Sequence, residues 1–194
     1  MELIISICVG LGLSTACGFR IFVPPLVMSI ASHLGYVTLS TDFQWMGTDE
    51  ALYAFAIATF IEVLAYYIPI VDNLLDTVST PMAVAAGTLV TISVLPQGDP
   101  LLQWTVALIA GGGAAGTIQS FAGIARLIST ATTGGLANAL LATIESGSSF
   151  ILAGLAIFVP LLTIGIVIVL LFLAFSELTR RLSSKVTDTE PSSQ

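Results

Sequence analysis

Twenty-six consecutive residues, Phe150 to Phe175, carry no charged side chain, and Glu177-Leu-Thr-Arg180-Arg181 follows at once. A helix needs about 20 apolar residues to cross the hydrocarbon core of a bilayer, so this run is long enough to do so. The basic residues behind it form the kind of stop that stays on the cytoplasmic side. The run predicts a membrane-embedded chain with a helix over 150–175.

Composition agrees along the whole length. Of the 194 residues, 56% are hydrophobic and 9% charged, against about 25% charged residues in soluble domains. The apolar residues are spread along the chain, which points to several membrane segments rather than one anchor. The expected architecture is all-α, a polytopic membrane helix bundle of five to six segments. It would form one transmembrane domain over 1–177, with a polar, disordered cytoplasmic tail over 178–194. The formal net charge is −7, with five Lys and Arg in all. No basic patch can then form outside the tail, which speaks against nucleic acid as a partner. The lipid bilayer is the partner that composition implies.

The first residues carry Glu2 and no Lys or Arg, and the apolar stretch continues past Cys17 to Ala31. A removable signal has a basic start and a short apolar region, so this reads as a retained membrane segment. Cys8 and Cys17 fall within it, nine residues apart on one helix, a poor geometry for a disulfide. They read as small packing residues.

The first apolar stretch, Leu3 to Tyr36, is interrupted by Gly18, Arg20 and Pro24-Pro25. It is long for one span and short for two, so a broken or strongly tilted helix is expected. After a polar segment from Thr38 to Glu50, spans are expected over 51–71, 81–95 and 101–124. A polar, Gly-rich fifth segment over 130–145 reads as a buried span or a re-entrant loop, and the run over 150–175 is the sixth. Arg180, Arg181 and Lys185 place the C-terminus in the cytoplasm, in bacteria the cytoplasmic membrane being the expected location. Six crossings would return the N-terminus to the same side. Short echoes, Ala58-Thr59-Phe-Ile-Glu62 with Ala142-Thr143-Ile-Glu145 and Gly18/Arg20 with Gly123/Arg126, raise a three-plus-three inverted repeat.

Charges inside such segments cost about 2.5–3.5 kcal/mol each on insertion scales and mark function or pairing. Glu62 has eleven uncharged residues before it and nine after, and Tyr66 and Pro69 follow on its helical face. It is either a hydrogen-bonded packing group or a carrier of a proton or cation. Asp72 and Asp76, one turn apart, form with Asn73 an oxygen-rich set suited to a hard cation. The same acids could instead cap a helix start near Ser79-Thr80-Pro81. Arg20 requires a partner, either Glu62, Asp72 or Asp76, or else a small anion or lipid phosphate. Arg126 reads as snorkelling to the interface. The run Ser129-Thr-Ala-Thr132-Thr133-Gly134-Gly135-Leu-Ala-Asn138, ending at Glu145, allows irregular backbone facing a ligand or tight packing. Gly112, Gly116 and Ser120 form a small-residue stripe for close helix contact, within the subunit or between copies in a homo-oligomer.

Enzyme signatures are lacking, and the chain is not expected to be an enzyme. His33 is the single histidine, and Gly111-Gly112-Gly113 lacks the Lys-Ser/Thr of a phosphate loop. Nothing in the sequence calls for a cofactor.

Three stretches carry a family resemblance: Leu13-Ser-Thr-Ala-Cys-Gly-Phe-Arg20-Ile-Phe-Val-Pro24, Glu62-Val-Leu-Ala-Tyr-Tyr-Ile-Pro69-Ile-Val-Asp72-Asn-Leu-Leu-Asp76, and Ser129-Thr-Ala-Thr-Thr-Gly-Gly-Leu-Ala-Asn138. The chain resembles, over about Leu11 to Leu170, small multi-pass proteins of bacteria and plastids grouped as a domain of unknown function. The family pattern has Asp-Lys where this chain has Tyr66-Tyr67, and Asn-Pro where it has Asn138-Ala139. The resemblance implies a membrane location and no assigned activity.

Glu62, Asp72, Asp76 and Glu145 outnumber Arg20 and Arg126 in the apolar segments. That balance favours a small transporter or channel, linked to a proton or cation, with the carboxylates as its route. Asn73, Thr132, Thr133 and Asn138 are the expected neutral ligands for the small ion or small-molecule substrate. The alternatives are a binder or mover of a small anion or anionic lipid through Arg20 and the Gly-rich segment, and a membrane organiser that transports nothing.

Overall fold

A computed structural model describes residues 2–187, with side chains described except at residues 2, 69–74, 76–77 and 177–187. The described residues form eight α-helices and no strand: α1 (Glu2–Cys17), α2 (Val23–His33), α3 (Asp49–Ala65), α4 (Pro69–Val94), α5 (Pro100–Val106), α6 (Gly113–Thr133), α7 (Asn138–Phe158) and α8 (Pro160–Thr187). A short 3₁₀ turn covers Thr41–Gly47, and a π-helical stretch, Ala107–Gly112, joins α5 to α6 without a break.

Prolines set the boundaries. A proline ring fixes φ, lacks the N–H and disfavours helix at the residue before it, so it starts a helix well and continues one badly. Pro69, Pro100 and Pro160 each open a helix. Two expected helices are corrected on this ground. The run 150–175 is divided at Val159 between α7 and α8, and the span 51–71 ends at Ala65, so Glu62 lies in the last turn of α3 rather than mid-span. Conversely, Pro81 does not begin a helix; it lies inside the 26-residue α4. The Gly-rich segment over 130–145 is neither a span nor a re-entrant loop. Gly134 (φ 64°) and Gly135 (φ 89°) adopt left-handed backbone that ends α6 and turns the chain into α7.

The interruption at Gly18 is present and reverses the chain. Thr91 Oγ1 donates to the Gly10 carbonyl at 3.2 Å, and Ser93 Oγ lies 3.2 Å from Met28 Sδ. Residues on either side of Gly18, Gly10 of α1 and Met28 of α2, therefore both meet the last turns of α4, and the two helices form an antiparallel pair rather than one bent helix. Close approach fixes this reversal: a Cβ on Gly18 would lie 2.6 Å from the Ala115 carbonyl oxygen and from Ile118 Cβ. Of the expected small-residue stripe, Gly112 and Gly116 pack against Val84 of α4, within the subunit.

Two helices, Pro100–Thr133 and Asn138–Phe158, are long and apolar enough to cross a membrane; Leu3–Cys17, Val78–Val94 and Pro160–Ser176 are shorter apolar helices. Large apolar side chains such as Phe60, Ile109, Ile151, Leu161 and Phe172 point outward, while Ser14, Thr15, Arg20, Glu62, Gln119, Arg126, Glu145 and Ser149 are buried. Some buried hydroxyls on helices are satisfied one turn back, as in Thr15 Oγ1 to the Leu11 carbonyl at 2.7 Å. The echoed sequence positions occupy unlike settings. Arg20 lies in a reversal and Arg126 inside α6; Glu62 ends α3 and Glu145 lies in the first half of α7. A repeated unit would place them alike. Helix α8 runs to Thr187, into the residues expected to form the tail; 188–194 lie outside the described residues.

Candidate functional site

Three reversals, at 18–22, 66–68 and 134–137, lie at one end of the bundle, and the charged side chains around them converge. The first reversal leaves backbone groups without helical partners. Pro24 and Pro25 in the first turn of α2 have no N–H to satisfy, and Glu62 takes the donors that precede them. The Ile21 N–H donates to Glu62 Oε1 at 2.7 Å and the Phe22 N–H to Oε2 at 3.0 Å. A carboxylate from α3 thus caps the start of α2, where the helix dipole also favours negative charge. On the α1 side, Ser149 Oγ of α7 donates to the Ala16 carbonyl at 2.9 Å.

Arg20, 1% exposed, reaches from the same reversal to α7. Its Nε donates to Ser146 Oγ at 2.9 Å, its Nη2 to the Ala142 carbonyl at 2.8 Å, and its Nη1 lies 3.4 Å from Glu145 Oε2. Arg126 of α6, also buried, donates from Nε to Glu145 Oε1 at 3.2 Å and from Nη2 to Glu145 Oε2. One carboxylate therefore holds two arginines. Tyr66, which caps α3, lies between them: the guanidinium carbons stand 3.9 Å (Arg20) and 4.1 Å (Arg126) from its ring centroid. Both guanidiniums gain cation–π attraction from the one ring. Tyr67 adds a hydrogen bond to Thr143 Oγ1 of α7 at 2.8 Å.

Beside this cluster lies a half-open cavity of about 280 Å³, between the start of α2, the end of α3 and the middle of α4. Its walls are apolar (Phe22, Ala58, Ile61, Val78 and Met82 among them), with Glu62, Tyr66 and Ser79 as the polar residues. Neither arginine lines it. Ser79 accepts a hydrogen bond from Gln119 Nε2 at 2.8 Å.

Of the residues expected to form a site, Arg20, Glu62 and Glu145 come together here. Arg20 was expected to pair with Glu62, Asp72 or Asp76; among the described residues its ion-pair partner is Glu145. Arg126 does not snorkel: at 2% exposure it belongs to the buried network, because Glu145 lies within its reach. Thr132, Thr133 and Asn138 lie apart from the cavity and close the α6–α7 turn. Thr133 Oγ1 bonds the Ser129 carbonyl at 2.7 Å and accepts from the Ala137 N–H, Thr132 Oγ1 bonds the Ile128 carbonyl, and Asn138 Nδ2 donates to Thr130 Oγ1. Asp72, Asn73 and Asp76 lie on the first two turns of α4, but their side chains fall outside the described residues. Sequence reasoning missed Tyr66 as a site residue. The available signal was its position one turn after Glu62, immediately before a proline-ended helix.

The profile of a family described as "Domain of unknown function (DUF4126)" matches residues 7–180. The chain belongs to that family. No curated protein and no solved structure matches it. All five residues of the DUF4126 chain's buried cluster, Arg20, Glu62, Tyr66, Arg126 and Glu145, fall within the matched span.

Proposed function

We propose that the chain is an integral membrane protein, a polytopic helix bundle, and that it moves protons or a small cation by a carboxylate route centred on Glu62. Support for the membrane part is the arrangement of apolar groups outside and polar groups inside, together with two helices of spanning length. Lipid solvates the former, and only a protein interior can hold the latter. Arg180, Arg181 and Lys185 would keep the C-terminus in the cytoplasm, in bacteria on the inner side of the cytoplasmic membrane. The fitting quaternary state is a homo-oligomer.

One observation carries the transport part: Glu62 borders the cavity and also holds the two backbone amides of the first reversal. An ionised carboxylate accepts such hydrogen bonds about twice as strongly as a neutral group. Loading Glu62 with a proton would weaken its hold on Ile21 and Phe22, and the same reversal carries Arg20, bound to α7. Charge state at the cavity and packing of α2 against α3 and α7 are thereby linked. Glu145, fixed by two arginines, would stay ionised as their counter-charge. Asp72 and Asp76 would extend the route along α4. With both arginines engaged by Glu145 and absent from the cavity wall, the geometry favours a cation over an anion.

The test is flux in proteoliposomes, followed with an internal pH dye under a valinomycin-set potential. Glu62→Gln keeps shape and one of the two amide hydrogen bonds while removing titration; it should insert normally and lose proton flux by at least about tenfold. Parent-like flux in that variant would sink the carrier role. If the parent itself moves no proton or alkali cation, the membrane-organiser reading takes its place.

A further inference from the structure

We infer that the cavity beside Glu62 is a binding site for a lipophilic monovalent cation, an ammonium group on an apolar body, which competes with a proton for Glu62. The inference rests on the proposed role of Glu62 and names the class of substrate. The described walls suit a well-hydrated ion poorly: apart from Glu62, Tyr66 and Ser79 they are apolar, fewer oxygens than the roughly six to eight a hard metal cation takes. They suit an apolar body of a size that about 280 Å³ admits. Charge decides the sign. Among the described residues Glu62 is the one carboxylate on the wall, and the two guanidiniums lie behind it. Entry is from the side, since Ile61, Val78 and Met82 at the rim are 60%, 43% and 41% exposed and would face lipid, where such a cation partitions.

Among the described residues, the charged and titratable groups facing Glu62 are Cys17 at the end of α1, Arg20 in the first reversal, Tyr66 on its own helix end and Arg126 on α6, with Glu145 on α7 beyond the arginines. The arginines and Glu145 are locked in one network. Glu62, whose other partners are backbone amides, is the member free to exchange its charge state with a ligand. Protonation neutralises it and removes the attraction, so affinity falls as pH falls.

The experiment is calorimetric titration of the purified full chain with benzyltrimethylammonium, a cation without a titratable proton, in weak buffers at several pH values. Binding should release up to about one proton per cation and weaken by up to about tenfold per pH unit on the acid side. Glu62→Gln should abolish the proton release, and Ala58→Phe, which fills the cavity from α3 and leaves Glu62 in place, should abolish binding while keeping the unfolding midpoint. Equal binding of the uncharged isostere neopentylbenzene would overturn the inference, as would preference for benzenesulfonate, absence of proton release, or no binding of any probe. Intact proton flux without benzyltrimethylammonium binding would defeat this inference alone. Binding with proton release but no flux would defeat the transport reading alone.

Discussion

Glu145 and Glu62 are both buried glutamates, and they do different things. Glu145 pairs with two guanidiniums; Glu62 satisfies two backbone amides. Removing one partner of a buried pair leaves an uncompensated charge, at a cost of about 3–5 kcal/mol. Glu145→Gln should therefore lower the thermal unfolding midpoint in detergent sharply. Asp49→Asn, which breaks the exposed pair with His33 (Asp49 side chain 75% exposed), should leave it unmoved. Equal midpoints in the two variants would show that the Arg20–Glu145–Arg126 network is not holding the fold. Glu62 and Arg20 were legible in the sequence because each stands alone in apolar surroundings. Their partners were not. Arg20 binds Ser146, 126 residues away, and nothing local in a sequence encodes a contact of that range. Arg126 looked like an interface residue for the same reason, and Tyr66 like no more than a neighbour on the helical face of Glu62.

The helices themselves show what an apolar pattern reports. A charge-free run tells where a chain can be buried, not where a helix continues. The run from Phe150 to Phe175 therefore contains two helices, with Val159 at φ −138° between them. Prolines held the missing information at 69 and 160, and Pro81 shows its limit, since α4 passes through it. Glycines divide similarly by what surrounds them. A Cβ at Gly18 would meet backbone and side-chain atoms of α6 at 2.6 Å, whereas one at Gly123, on α6 itself, would meet nothing within 4 Å. Gly18→Ala should destabilise by about 1–3 kcal/mol through overpacking. Gly123→Ala should stabilise by about 0.5–1 kcal/mol by restricting the unfolded chain. Unfolding midpoints of the two variants, shifted in opposite directions, check the close α1–α6 crossing.

At the scale of the molecule, the reversals sort into two ends. The loops around Asp42 and Gly98 share one end, tied by the Ser40 N–H to the Ser93 carbonyl at 2.7 Å; the turns at 66–68 and 134–137 share the other, tied by Tyr67 to Thr143. With α1 and α2 antiparallel, the N-terminus falls with the first group, opposite to where six crossings would leave it. Cys8 and Cys17 are buried, so introduced thiols can be read against a low background. Cysteines at Asp42 and Gly98 should react with an impermeant maleimide in intact cells, and one at Leu136 only after permeabilisation. The reverse pattern would invert the proposed orientation.

The cluster at that second end has a consequence for how the chain is made. Arg20 and Arg126 leave the ribosome before Glu145 does, so a nascent chain that stops short of α7 holds both arginines of the network without the carboxylate that joins them. During insertion they would count as ordinary positive charges and favour the cytoplasmic side. In the proposed orientation that is also the side of Arg180, Arg181 and Lys185. Arrival of Glu145 would then draw two orientation signals into an internal ion-pair network, fixing in the folded bundle a topology that these arginines had helped to choose.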